Sequence, residues 1–288
     1  MRKILFVIIA FGLGACTNHQ TLPDQGRLLA TGGVTQVEGS GGAGLTPWAT
    51  ISGYGTEKSY GINGFYTQAN FQNFELRSKG GAIGINNRIE ISYAEQEFDT
   101  GDTGPVLGLR QGYTFKQDII GAKVRVAGDA VYDQDTLMPQ ISVGAQYKKA
   151  SDPALLTALG ATDDDGIDIY ASATKVFLDK NLILGATLRG TKANQLGLLG
   201  FGGDRNGDYS LQFEGSAAYM LSRKIVVGAD YRTKPNNLNF AKEQDAKAAY
   251  LAYFPNKSVS FTVAYVDLGD VALQGNQSGA YGSIQVGF

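Results

Sequence analysis

The sequence predicts an all-β fold, an antiparallel transmembrane β-barrel of about 14 strands (12 to 16). Three observations carry this: period-two alternation of apolar with small or polar residues in segments of roughly ten, connections that alternate short and long, and an export signal at the N-terminus. Composition agrees. The chain has 288 residues with 39 Gly, only 7 Pro and 18% charged residues. A membrane helix needs about 18 or more apolar residues, and the longest such run, Ile4 to Gly14, is shorter and sits at the start of the chain. The glycine excess has no Gly-X-Y period, which excludes a collagen-like chain.

From the N-terminus, Met1-Arg2-Lys3 is a positive n-region and Ile4 to Phe11 a short apolar h-region. Leu13-Gly14-Ala15-Cys16 then resembles the lipobox of bacterial lipoproteins, so residues 1–15 are expected to be a signal peptide cleaved before a lipidated Cys16. Cys16 is the only cysteine, which excludes disulfides within the chain. Residues 16–27 read as a periplasmic linker and 28–288 as the barrel. Cleavage removes Arg2 and Lys3 and no acid, leaving the mature chain more acidic than the formal net charge of −2. No nucleic-acid partner fits that balance.

Along the barrel, Tyr209, Leu211, Phe213, Ala217 and Tyr219 share one face while Ser210, Gln212, Glu214 and Ser216 share the other. Ile225, Val227, Ala229 and Tyr231 repeat the pattern, as do Val259, Phe261, Val263 and Tyr265. Tyr209 and Tyr219 stand ten residues apart; at about 3.3 Å per residue and a tilt of about 40° they span roughly 25 Å, the height of the apolar band in such barrels. Short turns are expected at Thr56-Glu57, Asn86-Asn87, Asp179-Lys180, Ser222-Arg223 and Asn256-Lys257, with a longer one near Asp133 to Leu137. Long connections lie near 99–116, 149–165, 192–207, 233–246 and 268–276. The short set is assigned to the periplasm and the long set to the exterior. An even strand number then puts both termini in the periplasm. The final segment, Ile284, Val286 and Phe288, resembles the C-terminal signal read by outer-membrane assembly machinery.

Several motifs have a structural explanation. Gly39, Gly41 and Gly44 satisfy G-x-G-x-x-G, but Pro47-Trp48 leads into another alternating segment rather than a helix, so a glycine-rich external turn is expected. His19, outside the barrel, is the only histidine, which leaves no general base for a histidine-dependent hydrolase and argues against an enzyme. Carboxylate-only catalysis stays as a remote third reading. Asp163, Asp165, Asp204 and Asp208 cluster oxygen ligands as calcium loops do, yet lack the full loop spacing and closing Glu. No cofactor or metal is expected.

Giving the apolar parity to lipid leaves Glu75, Arg77, Glu90, Lys123, Arg125, Asp168, Arg189, Glu214, Asp230 and Arg232 facing the lumen. Charges there must be wet or paired, so the lumen is either a water-filled passage or a core closed by ion pairs. The apolar run Leu196 to Gly203, in a long loop, is expected to fold into the barrel mouth. Lys192, Asn194, Gln195, Leu198, Leu199 and Phe201 then form a constriction loop.

A resemblance extends these readings. Leu29-Ala30-Thr31-Gly32-Gly33-Val34, Pro47-Trp48-Ala49, Gly128-Asp129-Ala130-Val131-Tyr132-Asp133-Gln134-Asp135, Thr191-Lys192-Ala193-Asn194-Gln195 and Gly197-Leu198-Leu199-Gly200-Phe201-Gly202-Gly203-Asp204 are similar to an uncharacterised family from Gram-negative bacteria. It is a domain of unknown function regarded as an outer-membrane protein, and the likeness covers about residues 28 to 288. It implies an exported barrel and brings no ligand or catalytic residue; the lipobox is a departure from it. The expected protein is therefore a monomeric, porin-like passive channel for small hydrophilic solutes, in contact with outer-membrane lipid and lipopolysaccharide. The alternative is a non-conducting barrel with a structural or adhesive role.

Overall fold

A computed structural model describes residues 26–288. The signal segment, Cys16 and His19 lie outside the described residues. The wall is a closed barrel of twelve strands: β3 (Tyr60–Phe71), β4 (Glu75–Ile85), β5 (Ile89–Asp99), β6 (Thr114–Ala127), β7 (Gln140–Ala150), β8 (Asp165–Phe177), β9 (Leu182–Thr191), β10 (Ser210–Met220), β11 (Ile225–Arg232), β12 (Ala246–Tyr253), β13 (Val259–Asp267) and β14 (Ser278–Gly287). Each runs antiparallel to its chain neighbours, and β14 pairs with β3, Tyr281 opposite Ala69, to close the circle. At the chain end, Phe288 N–H donates to Ile62 O and Ile62 N–H donates back.

Twelve strands lie within the expected range, two fewer than the count of about 14. The difference is the stretch read as the first pair of strands. Residues 26–58 do not enter the wall. Their central part, residues 30–52, fills the lumen and carries a short ladder between β1 (Val34–Thr35) and β2 (Gly41–Gly42). Every residue from 30 to 52 is buried. A wall strand must offer lipid a bulky apolar side chain at every second position; this stretch has small and polar residues there and is enclosed on all sides. The glycine-rich turn is likewise internal. A Cβ on Gly42 would lie 2.2 Å from the Thr46 carbonyl oxygen, and Gly39 turns the tip of the hairpin with φ +93°.

One end of the barrel carries the tight turns 86–88, 178–181, 221–224 and 254–258, with the longer 128–139, and receives the hairpin. The other carries the long connections 100–113, 151–164, 192–209, 233–245 and 268–277, together with a tight turn at 72–74. Ile62, Ile91, Ile120, Val143, Ile169, Leu188, Leu211, Phe213, Val263 and Val286 are exposed on the outer face, the apolar belt that a membrane-spanning barrel requires. Tyrosines border it on the long-loop side. The Tyr93 hydroxyl donates to Asp118 at 2.6 Å, Tyr147 to Asp165 at 2.9 Å and Tyr209 to the Ile167 carbonyl at 2.8 Å.

Above this border, from β4 to β8, the outer face is charged. Tyr66, Lys79, Glu95, Asp118, Lys149 and Asp165 stand opposite one another in a single row across six strands. Lys79 pairs with Glu95 at 3.1 Å and Lys116 with Glu97 at 2.8 Å. This corrects two assignments. Glu75 and Arg77 belong to the outer face, where they pair with each other, while Leu76 and Ser78 are buried inside. Giving the apolar parity to lipid fails here, because the outer face has risen past the apolar belt and the lumen at that level is itself apolar.

Candidate functional site

The lumen is the candidate site, and its geometry is set by how the wall receives the hairpin. Between Arg27 and Glu57 the only charged residue is Glu38, at the hairpin tip and fully buried. Its carboxylate takes both terminal nitrogens of Arg232, at 2.8 and 3.1 Å, and the Lys148 ammonium, with Arg189 at 3.7 Å. Lys148 also reaches Asp168 at 2.8 Å. Arg189 donates to Asp168 at 3.2 Å, to Gln146 at 2.7 Å and to Glu214, and Arg232 lies 3.4 Å from Glu214. Three cations thus meet three carboxylates, and the third carboxylate comes from the hairpin. Such a buried network stands only while each member keeps its partners; removing one typically costs about 3–5 kcal/mol.

A second buried pair, Lys123 and Glu90 at 2.9 Å, grips the hairpin lower down. Glu90 accepts from Ser40 Oγ at 2.8 Å, Gly41 N–H at 3.1 Å and Ser52 N–H at 2.8 Å. Lys123 donates to the carbonyls of Gly41 and Trp48. Elsewhere the wall satisfies hairpin backbone groups, as burial demands. Ser78 and Gln96 donate to Val37 O, Gln140 and Ser142 to Ala49 O and Thr187 to Pro47 O. Asp230 accepts from Leu45 N–H at 3.0 Å, and Gln285 Oε1 from Thr35 N–H at 2.8 Å. Small wall residues make room for this cargo: a Cβ on Gly185 would lie 3.3 Å from the Trp48 ring.

Of the ten residues expected to face the lumen, Glu90, Lys123, Asp168, Arg189, Glu214, Asp230 and Arg232 are buried inside it. Arg125 is half-buried near the hairpin entrance, paired with Asp129 at 2.9 Å and Glu57 at 3.3 Å. Glu75 and Arg77 are outside. Sequence reasoning missed Glu38 and Lys148. Lys148 was findable, since Val143, Ala145 and Tyr147 take the outer parity and leave Gln146 and Lys148 inside. For Glu38 the available signal was a lone charge in a long uncharged, glycine-rich stretch.

The segment 194–201 turns into the barrel from the long-loop end. Leu198, Leu199 and Phe201 are buried. Asn194 is fully buried but holds the loop together, donating to Gly202 O at 2.8 Å and accepting from Asn237. Gln195 faces inward and accepts from Lys234 at 3.1 Å, while its own N–H donates to Glu243 at 2.9 Å. The Leu196 carbonyl accepts from Lys148 and Gln117, joining this loop to the charge network. Phe201 lies against Gly166, where a Cβ would come within 2.4 Å of its ring. Lys192 is a correction. It follows the inward Thr191, so its side chain takes the outer parity and its ammonium sits 5.1 Å above the Tyr209 ring.

The four aspartates weighed for calcium have separate duties. Asp163 pairs through its backbone with Phe201, Asp165 accepts from Tyr147, Asp204 accepts from Asn239 N–H, and Asp208 N–H donates to Asn206. No group of three or more His, Cys, Asp or Glu able to hold a metal occurs among the described residues.

A twelve-stranded barrel with an apolar outer belt and a lumen filled by its own N-terminal hairpin defines a plugged, porin-like barrel of the outer-membrane type. The chain belongs to DUF3034, a family of proteins of unknown function, which it matches over residues 31–285, hairpin included. No curated protein sequence matches it. Among solved structures it resembles the KdgM porin, at 10% identity over 78% of this chain and 99% of that one, with a TM-score of 0.51. The NanC porin follows at 13% identity, 80% and 98% coverage and a TM-score of 0.47. The outer membrane phospholipase A of Escherichia coli gives 11%, 78%, 92% and 0.44. At such identities the likeness to the KdgM porin is one of fold alone.

Proposed function

We propose that this protein is a monomeric outer-membrane barrel that is shut at rest and conducts small hydrophilic solutes when its N-terminal hairpin leaves the lumen. The observation that carries the reading is the supply of Glu38 by the hairpin to the wall cations Lys148, Arg189 and Arg232. Without the hairpin, Glu90, Lys123, Lys148, Asp168, Arg189, Glu214, Asp230 and Arg232 would wall a polar passage of mixed sign, favouring neither cations nor anions strongly. In this reading the long loops face outward among lipopolysaccharide, both termini are periplasmic, Cys16 carries lipid, and assembly machinery reads the segment ending at Phe288. No chemistry at the buried charges is proposed, since hairpin groups occupy them.

Planar-bilayer recording tests it. The intact protein is expected to be silent or to open rarely, and deletion of residues 29–55 to give stable current steps with weak ion selectivity. A folded deletion variant that passes no current would leave the non-conducting, structural barrel as the better description.

A further inference from the structure

The lumen changes character above the hairpin tip. Between Val37 and Leu45 below and the in-folded loop above lies a cavity of about 40 Å³ with almost wholly apolar walls. Phe74, Phe98 and Phe115 form one side, Leu198 and Leu199 the roof, Val266 and Leu268 the other side. Leu109, Tyr113, Leu155, Leu159 and Phe240, from the long connections, pack against the same buried cluster that supplies these walls. This lining contrasts with the charged wall around the hairpin below it. A water needs only about 10–15 Å³ of such space but also two to four polar partners, and those at the edge are engaged: Lys234 donates to Gln195 Oε1 and Leu268 O, and the Gln195 N–H donates to the Glu243 carboxylate. An apolar cavity stays dry, and one of about 150 Å³ accepts benzene, so this chamber takes such a molecule only by widening.

The roof is held in an unusual backbone state. Gln195 and Leu196, neither of them glycine, have φ +44° and +65°, and residues kept in that region persist only where surrounding contacts impose it. At these two residues the contacts are polar: Glu243 on the Gln195 N–H, Lys234 and the Asp270 carbonyl on its side-chain amide, and Lys148 and Gln117 on the Leu196 carbonyl. A roof fixed in this way can yield to a body larger than the resting cavity.

We propose that this chamber is a binding site for a small apolar molecule, an alkyl or aryl group of a few carbons, taken up from the long-loop end. The site is complete while the hairpin is docked, with Val37 and Leu45 as its floor, so binding requires no departure of the hairpin. Binding is read at equilibrium without current, so failure here and failure of the gating reading are separate results.

The test uses the full chain in lipid nanodiscs, with fluorobenzene followed by ¹⁹F NMR and empty nanodiscs to subtract partition into lipid. A saturable component is expected, lost or weakened at least tenfold in Ala246→Phe, which fills the chamber from β12, and retained in Ala249→Phe, which points to lipid from the same strand. Leu199→Asn, which adds polarity without bulk, guards against misfolding of the first variant and should also weaken binding; heat-modifiable migration shows that each barrel is folded. Absence of a saturable component in the wild type, or equal binding by folded Ala246→Phe and Leu199→Asn, overturns the proposal.

Discussion

At the hairpin tip, one carboxylate decides whether the lumen's charges balance. Lys148, Arg189 and Arg232 share Asp168 and Glu214 within the wall, and Glu38 completes the set. Replacing Glu38 by Gln keeps the size and removes the charge, so three buried cations face two carboxylates. The expected cost is about 3–5 kcal/mol, drawn from hairpin docking rather than from the wall ladders. Protease sensitivity of residues 29–55 should rise, and frequent current steps should replace silence while heat-modifiable migration of the barrel persists. An E38Q variant as silent and as protease-resistant as the parent would remove Glu38 from the closing mechanism. Gly42→Ala probes the same hairpin by sterics alone: its Cβ would meet the Thr46 carbonyl at 2.2 Å, so it should also loosen the plug although every charge is kept.

Among the elements, the strands from Tyr60 onward were legible because each must satisfy one rule, a lipid-facing side chain at every second position, and that rule leaves a period in the sequence. β10 and β13 follow it closely. The hairpin was not legible for the same reason. It has no lipid face, so its pattern is set by fit to wall groups such as Glu90, Gln96 and Gln140, which local sequence does not encode. Glu75 and Arg77 failed at the rule's edge, where the outer face leaves the apolar belt. Leu196 to Gly203 was readable as an in-folded loop because exposed apolar residues there had no other shelter. Its closure is expected to depend on pH. Burial pushes the Glu243 carboxyl up to about 7 from its ordinary 4.5, although Lys234 and the Gln195 N–H oppose the rise. The closed loop therefore binds more protons than the open one between those values, and closure is strongest below about 4.5 and weakens as pH rises through 7. Lys234, pushed down by burial, acts in the opposite sense toward alkaline pH. Amide exchange at Gln195, corrected for its intrinsic pH dependence, should speed up between pH 5 and 7 by roughly 1.4 kcal/mol of opening free energy per unit of pH at most. Glu243→Gln should flatten this dependence; an unchanged slope in that variant would assign the titration to another group.

For the whole molecule, strand length sets how the barrel sits in a membrane. β11 and β12 have 8 residues each, whereas β6 has 14. At about 3.4 Å per residue and a tilt of about 40°, these rise roughly 21 and 36 Å, against an apolar band of about 25 Å. By this measure β11 and β12 fall roughly 4 Å short of the band, whereas β4 and β5, with 11 residues each, exceed it by roughly 4 Å; the extra residues of β6, 125–127, lie past Val124 at the tight-turn end. The long-loop end of β4 to β6 forms a rampart whose outer face carries Arg77, Lys79, Glu95, Glu97 and Lys116, charges that would be prohibitive in lipid. The chamber wall residues Leu76, Phe98 and Phe115 lie on the inner face of this same rampart, so the apolar chamber sits at or above the membrane surface rather than at its midplane. Nitroxide labels tested one at a time, on a Cys16→Ser background, can locate the surface. Labels at Ile91 and Ile120 should be relaxed mainly by oxygen, as in lipid, while labels at Glu97 and Lys116, on the same faces of β5 and β6, should be relaxed mainly by a water-soluble nickel complex. Across the barrel, Leu211 near the start of β10 should behave like Ile91. If positions 97 and 116 proved as oxygen-accessible as 91, the barrel would sit level, the charge ladder would lie in lipid, and the chamber would have to be reached through the bilayer instead of from the aqueous side.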